Sequence, residues 1–74
     1  MNKDDVYKKL GLNIKKYRTL RKLTQENLAD KVNRSVNLIG KVEVAFNKPS
    51  FGTIIDIANA LDITLKELFD FEEL

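Results

Sequence analysis

One short segment of the chain carries polar side chains where a helix would expose them. Within residues 33–49, Ile39, Val42 and Phe46 recur at helical spacing, which predicts an amphipathic helix. The opposite side of that helix holds five residues: Val36, Asn37, Gly40, Lys41 and Val44. An amide and an ammonium group form directional hydrogen bonds, whereas two valines and a glycine are unusual on a face that meets only water. This side therefore predicts a binding surface.

The composition argues against several other kinds of site. The chain has 74 residues, the size of one small domain, and it has no cysteine and no histidine. Disulfides, zinc sites and the commonest general base are therefore ruled out, and we expect neither an enzyme nor a cofactor, metal or small-molecule ligand. No apolar run is long enough to span a membrane, and the N-terminal segment has acids where a signal peptide is apolar. We expect a cytoplasmic protein.

Charge is distributed unevenly along the chain. The segment up to Lys48 has 12 Lys or Arg residues against 5 acids, whereas the segment from Pro49 on has one Lys against six acids. A basic first segment favours a polyanionic partner, and the acidic segment should point away from it. Ordinary solvated helix faces would produce the same asymmetry, so charge alone does not decide the function.

The apolar spacing predicts five helices and no strands, which makes the chain a compact all-α domain. The first helix should run over about residues 4–22, with its first turns weakened by Gly11. Thr24 should cap the second helix, and Asn33 should form the turn that follows, since Asn tolerates a left-handed conformation. Ser35 should cap the third helix.

The third helix should run on to Phe46 or Asn47, with Asn47 as its left-handed terminal residue before Pro49. A fourth helix should begin after Ser50 and bury four residues: Ile54, Ile55, Ala58 and Leu61. Asp62 should form the next turn. Residues 64–67 have the spacing of a capping box and should open a fifth helix.

Two short helices joined by a tight turn form a helix-turn-helix, whose second helix can lie in the DNA major groove. The chain also resembles the phage-repressor and Cro-like (Xre-type) helix-turn-helix family, whose domain is lambda-repressor-like, over about residues 10–69. The matching residues are Ile14, Arg18, Leu23, Thr24, Gln25, Leu28, Ala29, Ser35, Ile39, Val42, Glu43 and Pro49. The family commonly has Asn-Gly where this chain has Val44-Ala45.

The resemblance implies that the third helix is a recognition helix and that double-stranded DNA is the partner. Asn37 could then pair with adenine, Lys41 could donate to guanine, and Val36 could touch a thymine methyl group. Gly40 has two interpretations: it lets the helix backbone approach the groove closely, or it is simply a tolerated weak helix former.

Six flanking residues are predicted to contact the DNA backbone. Family resemblance assigns a phosphate contact to Gln25, in the first turn of the second helix, with Thr24 nearby. The other four flank the recognition helix: Arg34, Ser35, Asn47 and Lys48. The resemblance also implies a structural ion pair between Arg18 and Glu43.

Phe71 and Leu74 lie beyond the predicted core, which suggests that residues 70–74 form a dimerisation tail. Family members commonly bind palindromes as two-fold dimers, so the resemblance implies a homodimeric transcriptional regulator, a repressor or a controller protein. The alternative is an antitoxin-like module whose main target is another protein, contacted through the acidic and apolar C-terminal segment.

Overall fold

The structure is a computed structural model that describes residues 1–71. It consists of α1 (Lys3–Leu20), α2 (Gln25–Val32), α3 (Val36–Glu43), α4 (Phe51–Ala60) and α5 (Leu65–Leu68). The described part of the chain contains no strand, which confirms the all-α prediction. Leu74 lies outside the described residues.

Each helix begins after a polar residue whose side chain accepts a hydrogen bond from the first turn. These N-caps are Asn2, Thr24, Ser35, Ser50 and Thr64. All but Asn2 were predicted. In the capping box of α5, Glu67 accepts from the N–H and the hydroxyl of Thr64, and these bonds lower the pKa of the Glu67 carboxyl.

The four connections between helices share one backbone conformation. Each contains a single non-glycine residue with positive φ: Lys22, Asn33, Ala45 and Asp62. At all four sites the next residue donates its N–H back to a carbonyl five residues earlier, at 2.8–3.1 Å, which is the Schellman pattern. Asn33 and Asp62 were predicted to occupy turns. The helices are thus joined without glycine.

The C-terminal end of α3 differs from the prediction. The helix stops at Glu43, and Ala45 rather than Asn47 takes the left-handed conformation, with φ 62°. The Phe46 N–H closes the turn by donating to the Lys41 carbonyl at 2.8 Å. Phe46 was expected on the inner side of a longer helix. Because the chain turns at Ala45, this side chain leaves the core and is 78% exposed.

The core is built from aliphatic side chains of every helix. Its fully buried members are Leu10, Ile14, Leu28, Ile39, Ile57, Leu61 and Leu68. In α4 the predicted face was partly wrong, because Ile55 is 37% exposed whereas Ile57 is buried. Residues 54, 57, 58 and 61 form the inward stripe at i, i+3, i+4 and i+7, and Ile55 lies beside it.

Gly11 allows α1 to pack directly on the end of α3. A Cβ at this position would lie 2.5 Å from the Glu43 carbonyl oxygen and 2.6 Å from that of Val42. Both are backbone atoms, which cannot move away as a flexible side chain could. Gly11 is buried, and α1 continues through it from Lys3. The glycine expected to weaken α1 is therefore required by the packing of two helices.

We expect Gly11→Ala to lower the free energy of unfolding by about 1–3 kcal/mol, because the added methyl group overpacks a backbone contact. Gly40→Ala is the matched control. A Cβ there would meet only the Gln25 side chain, at 3.6–4.0 Å, so we expect no loss and up to about 1 kcal/mol of gain from helix propensity. Urea unfolding of both variants measures the difference. Equal stability of the two would contradict this role of Gly11.

Candidate nucleic-acid interface

The outer side of α3 forms one shallow surface. The four predicted base-contacting residues lie together on it, and we call this set the recognition face: Val36, Asn37, Gly40 and Lys41. They line a hollow of about 560 Å³ with Gln25, Val44 and Phe46. Ile39 and Val42, on the opposite side of the helix, are buried. The 3.6-residue period thus divides α3 into a side that holds the fold and a side that is free to bind.

Two apolar side chains at the C-terminal end of α3 extend the recognition face. Val44 is 73% exposed and Phe46 is 78% exposed. The Lys41 ammonium nitrogen lies 5.6 Å from the centroid of the Phe46 ring, within the range of a cation–π contact. Phe46 was missed as a surface residue because its spacing from Ile39 and Val42 suggested burial. Residues 44–45 gave no local signal of the turn, because Ala is the strongest helix former and neither Val nor Ala favours a left-handed conformation.

Three of the predicted backbone-contacting residues lie at helix starts. Thr24 and Ser35 cap α2 and α3 through their hydroxyl oxygens. Gln25 is the first residue of α2, and its side-chain amide donates to Glu43 Oε1 at 3.0 Å. Gln25 is therefore held against the end of α3 and lines the hollow beside Gly40.

The other three predicted backbone-contacting residues have different surroundings. Arg34 is tied to the protein: its guanidinium donates to the Val32 carbonyl at 2.8 Å and to Asp56 at 3.4 Å. Lys48 is exposed, with its ammonium nitrogen 3.2 Å from an Asp4 carboxylate oxygen. Asn47 is half-buried in the connection to α4. None of these three lines the hollow around the recognition face.

A buried ion pair joins α1 to α3. Arg18 Nε donates to Glu43 Oε2 at 2.6 Å, and a second guanidinium nitrogen donates to Oε1 at 3.1 Å. The Glu43 side chain is only 2% exposed and that of Arg18 is 12% exposed. Arg18 also donates to the Leu23 carbonyl at 2.8 Å, which fixes the connection between α1 and α2. Together with Gln25, these bonds fix the relative positions of the first three helices.

Sequence reasoning also missed part of α1. Lys8, Leu12 and Lys15 line a second hollow together with Gln25, Glu43 and Val44. Gln25 and Val44 border both hollows, so the α1 lysines lie beside the recognition face. The signal was their spacing of seven residues, which places them on one side of α1.

Comparison with known proteins agrees with this geometry. The helix-turn-helix family model matches residues 14–68. The chain belongs to the Cro-like (Xre-type) helix-turn-helix family. Membership in this family of DNA-binding, non-enzymatic regulators confirms the resemblance found in the sequence.

Three relatives place the chain within the helix-turn-helix family. An uncharacterised HTH-type transcriptional regulator of Bacillus subtilis, YqaE, is 38% identical over 81% of this chain and 52% of its own length. A second from that organism, YazB, is 36% identical over 78% of this chain and 84% of its own. The crystal structure of the restriction-modification controller protein C.AhdI from Aeromonas hydrophila matches with a TM-score of 0.82 and 35% identity, over 88% of this chain and 97% of that one.

The chain thus spans about half the length of YqaE. The fold of residues 1–71, which has five helices and no strand, matches that of C.AhdI. Among residues 1–71, no helix combines the length and apolar character needed to cross a membrane.

We expect the Arg18–Glu43 pair to be strongly coupled in stability. Arg18→Met or Glu43→Leu alone leaves a nearly buried charge unpaired and should cost about 3–5 kcal/mol, while the double change should cost much less than the sum. A double-mutant cycle by urea unfolding measures the coupling.

The exposed pair Arg34–Asp56 is the matched control, with side chains 36% and 51% exposed. Its coupling should be below about 1 kcal/mol. Additive single changes at Arg18 and Glu43 would show that this pair does not hold the helices together.

Proposed function

We propose that this protein is a sequence-specific regulator of transcription that binds a palindromic operator in double-stranded DNA as a homodimer. The observation that carries the proposal is the recognition face: hydrogen-bonding and small side chains share the outer side of the second helix of a helix-turn-helix. An enzyme site would need a deep pocket with titratable groups, whereas this surface is shallow and lies along the outer side of α3, which a major groove can accommodate. The protein acts in the cytoplasm.

The side chains of the recognition face match the hydrogen-bonding groups of base edges. The Asn37 amide can donate and accept at once, as pairing with adenine N6 and N7 requires. The Lys41 ammonium can donate to guanine O6 or N7, and Val36 can contact a thymine methyl group. The Phe46 ring beside Lys41 supports an ammonium directed along this surface rather than toward bulk solvent.

Close approach to DNA is the better of the two interpretations of Gly40. A Cβ at this position would make only ordinary contacts with Gln25, so the fold itself does not require glycine. Alanine would stabilise the helix. A glycine at the centre of the recognition face is therefore best explained by the surface it meets, a groove floor that the bare backbone can reach.

Contacts to phosphates should fix the register without recognising sequence. Thr24 and Gln25 lie at the start of α2, where N–H groups and the helix dipole favour an anion. Ser35 caps the start of α3, and Asn47 and Lys48 lie in the connection from α3 to α4. Arg34 can contact a phosphate only if its guanidinium gives up its hydrogen bonds to the Val32 carbonyl in α2 and to Asp56 in α4.

The homodimer is proposed through α4, α5 and the tail. Phe71 was assigned to the dimer interface because it was expected to lie beyond the core, and that expectation was wrong. Its half-buried ring packs against the core and lies 6.0 Å from the Phe69 centroid. Phe71 can then contribute only its remaining exposed edge. Support for a dimer comes from symmetry, since one recognition helix covers only half of a palindromic site.

Selection of bound sequences from a random DNA pool, followed by sedimentation of the free and bound protein, tests this function. We expect enrichment of an inverted repeat, a dimer at micromolar concentration, and two chains per duplex. Half-sites one helical turn apart, about 34–36 Å, would place the two recognition helices in successive major grooves. Absence of any enriched sequence would refute the function, and a monomer both free and bound would refute the homodimer.

We expect Asn37→Ala and Lys41→Ala to cost roughly 1–3 kcal/mol on the selected duplex and to relax the preference at one or two base pairs, because each removes a base contact. Lys48→Ala should weaken binding to all sequences about equally and lower the salt slope by about one. Binding to the selected duplex and to its single-base variants, at several salt concentrations, separates the two effects.

Two variants serve as controls for these measurements. Lys31→Ala removes an exposed lysine of α2 that lines neither hollow beside the recognition face and lies outside the proposed dimer elements, and it should leave binding unchanged. Gly40→Ala keeps the fold and should weaken binding to the selected duplex. If the Asn37 and Lys41 variants lose affinity uniformly with the base preference intact, the recognition face does not contact bases.

A further inference from the structure

We infer that Val44 and Phe46 form a second base-contacting element, which recognises thymine methyl groups at the C-terminal end of the recognition helix. The inference rests on the proposed function and assigns to this end of the surface a ligand chemistry of its own. Val44 was placed on the predicted binding side of α3 but was assigned no contact of its own, and Phe46 was predicted to be buried.

The turn at Ala45 places both side chains on the binding surface. The Schellman bonds of this turn end α3 at Glu43 and reverse the chain, with φ 62° at Ala45. Val44 and Phe46, on either side of it, line the same hollow as Asn37 and Lys41. At 73% and 78% exposure they are the two most exposed large apolar side chains between residues 2 and 71. A rigid, hydrogen-bonded turn thus presents an apolar pair to the partner of the recognition face.

The chemistry of this pair points to a base methyl group and not to a phosphate. Family resemblance implies an Asn here, whose amide could contact a phosphate, but valine and phenylalanine have no side-chain group that can. In the major groove, the apolar group available to a protein is the C5-methyl of thymine, and phenylalanine is among the side chains that contact it. This chain therefore replaces a phosphate contact, which is independent of DNA sequence, with a methyl contact that requires thymine.

Charge supports DNA as the occupant of this apolar pair. The Lys41 ammonium lies 5.6 Å from the Phe46 centroid, and Lys8 and Lys15 line the adjacent hollow that Val44 borders. An apolar pair with Lys41 beside Phe46 and two more lysines along the hollow that Val44 borders fits a polyanion that carries methyl groups. A second copy of this chain is a poorer occupant, because its own lysines would be repelled by Lys8, Lys15 and Lys41.

The length of α3 determines where the methyl groups should lie. Val36 and Val44 are eight residues apart, which is about 12 Å along a helix axis. Successive bases of one strand are about 3.4 Å apart, so the contacts at the two ends of α3 should fall about three to four base pairs apart. Each half-site should therefore hold two methyl-sensitive positions, one for Val36 and one for the Val44–Phe46 pair.

Replacing thymine by deoxyuridine at single positions of the selected duplex tests the inference, since it removes only the C5-methyl group. The intact chain should lose about fourfold in affinity at each sensitive position, the change expected from one apolar carbon. Phe46→Ala should bind the thymine and deoxyuridine duplexes equally at one of these positions and remain sensitive at the other. Val36→Ala should show the reverse pattern.

Three further measurements exclude a merely structural effect. Phe46→Leu keeps an apolar side chain and should retain the methyl sensitivity. Leu20→Ala removes another exposed apolar side chain, 63% exposed at the end of α1, and should behave as the unchanged protein. Urea unfolding should show that Phe46→Ala is folded, as its exposure requires.

Each remaining outcome has a definite meaning. If Phe46→Ala and Val44→Ala keep every methyl sensitivity of the unchanged protein, or lose affinity equally for all sequences, the inference is wrong while sequence-specific binding stands. If these variants bind DNA normally but release a protein partner, the pair is a protein-docking surface and the inference is again wrong. If no duplex is selected at all, the proposed function fails, and this inference fails with it.

Discussion

The carboxylate of Glu43 lies where the first three helices meet, and the position of the recognition face depends on it. Arg18 reaches it from α1 and Gln25 from α2, while Glu43 itself is the last residue of α3. A carboxylate buried this deeply is costly unless it is paired and fully hydrogen-bonded, so the three side chains must be in place together. The cost favours one arrangement of α3 relative to α1 and α2. A surface that recognises base edges needs that orientation to be fixed.

Close packing strengthens the same junction. Gly11 lies against the carbonyl groups of Val42 and Glu43, so α1 supports the last turn of α3 with its backbone. The turn that follows is closed by bonds from Ala45 and Phe46 back into the helix. The C-terminal end of α3 is thereby held by an ion pair, a helix contact and a Schellman turn, although Val44 and Phe46 beyond it are exposed. Rigidity here comes from backbone geometry and not from burial of the side chains that follow.

Sequence patterns predicted the helices well where a local rule governs them and failed where tertiary structure does. N-cap residues such as Thr24 and Ser35 act through their own first turn, so their roles were visible in the sequence. The end of α3 was not visible, because a left-handed Ala45 costs roughly 1–2 kcal/mol that only the surrounding structure can offset. The role of Gly11 was hidden for the same reason: the backbone atoms that a side chain here would strike belong to Val42 and Glu43, more than 30 residues further along the chain. Of the candidate site, helical periodicity grouped the four residues of the recognition face on one side of α3. It placed Phe46 wrongly because helical periodicity applies only within the helix, and α3 ends at Glu43, three residues before Phe46.

The two sides of α3 are under different physical constraints, and this separation bears on how such a domain can acquire new specificities. Ile39 and Val42 are packed in the core and Glu43 is buried and hydrogen-bonded, so substitution at these positions destabilises the fold. Asn37 and Phe46 are exposed, Lys41 is half-buried beside the Phe46 ring, and Gly40 has room for a Cβ, so substitution at these positions should change stability little. A change of base preference can therefore arise without a compensating change in the core. The Val44-Ala45-Phe46 turn extends this freedom past the helix itself. Because the Schellman bonds involve only backbone groups, the residues on either side of Ala45 can change identity while the turn keeps presenting them to the same surface.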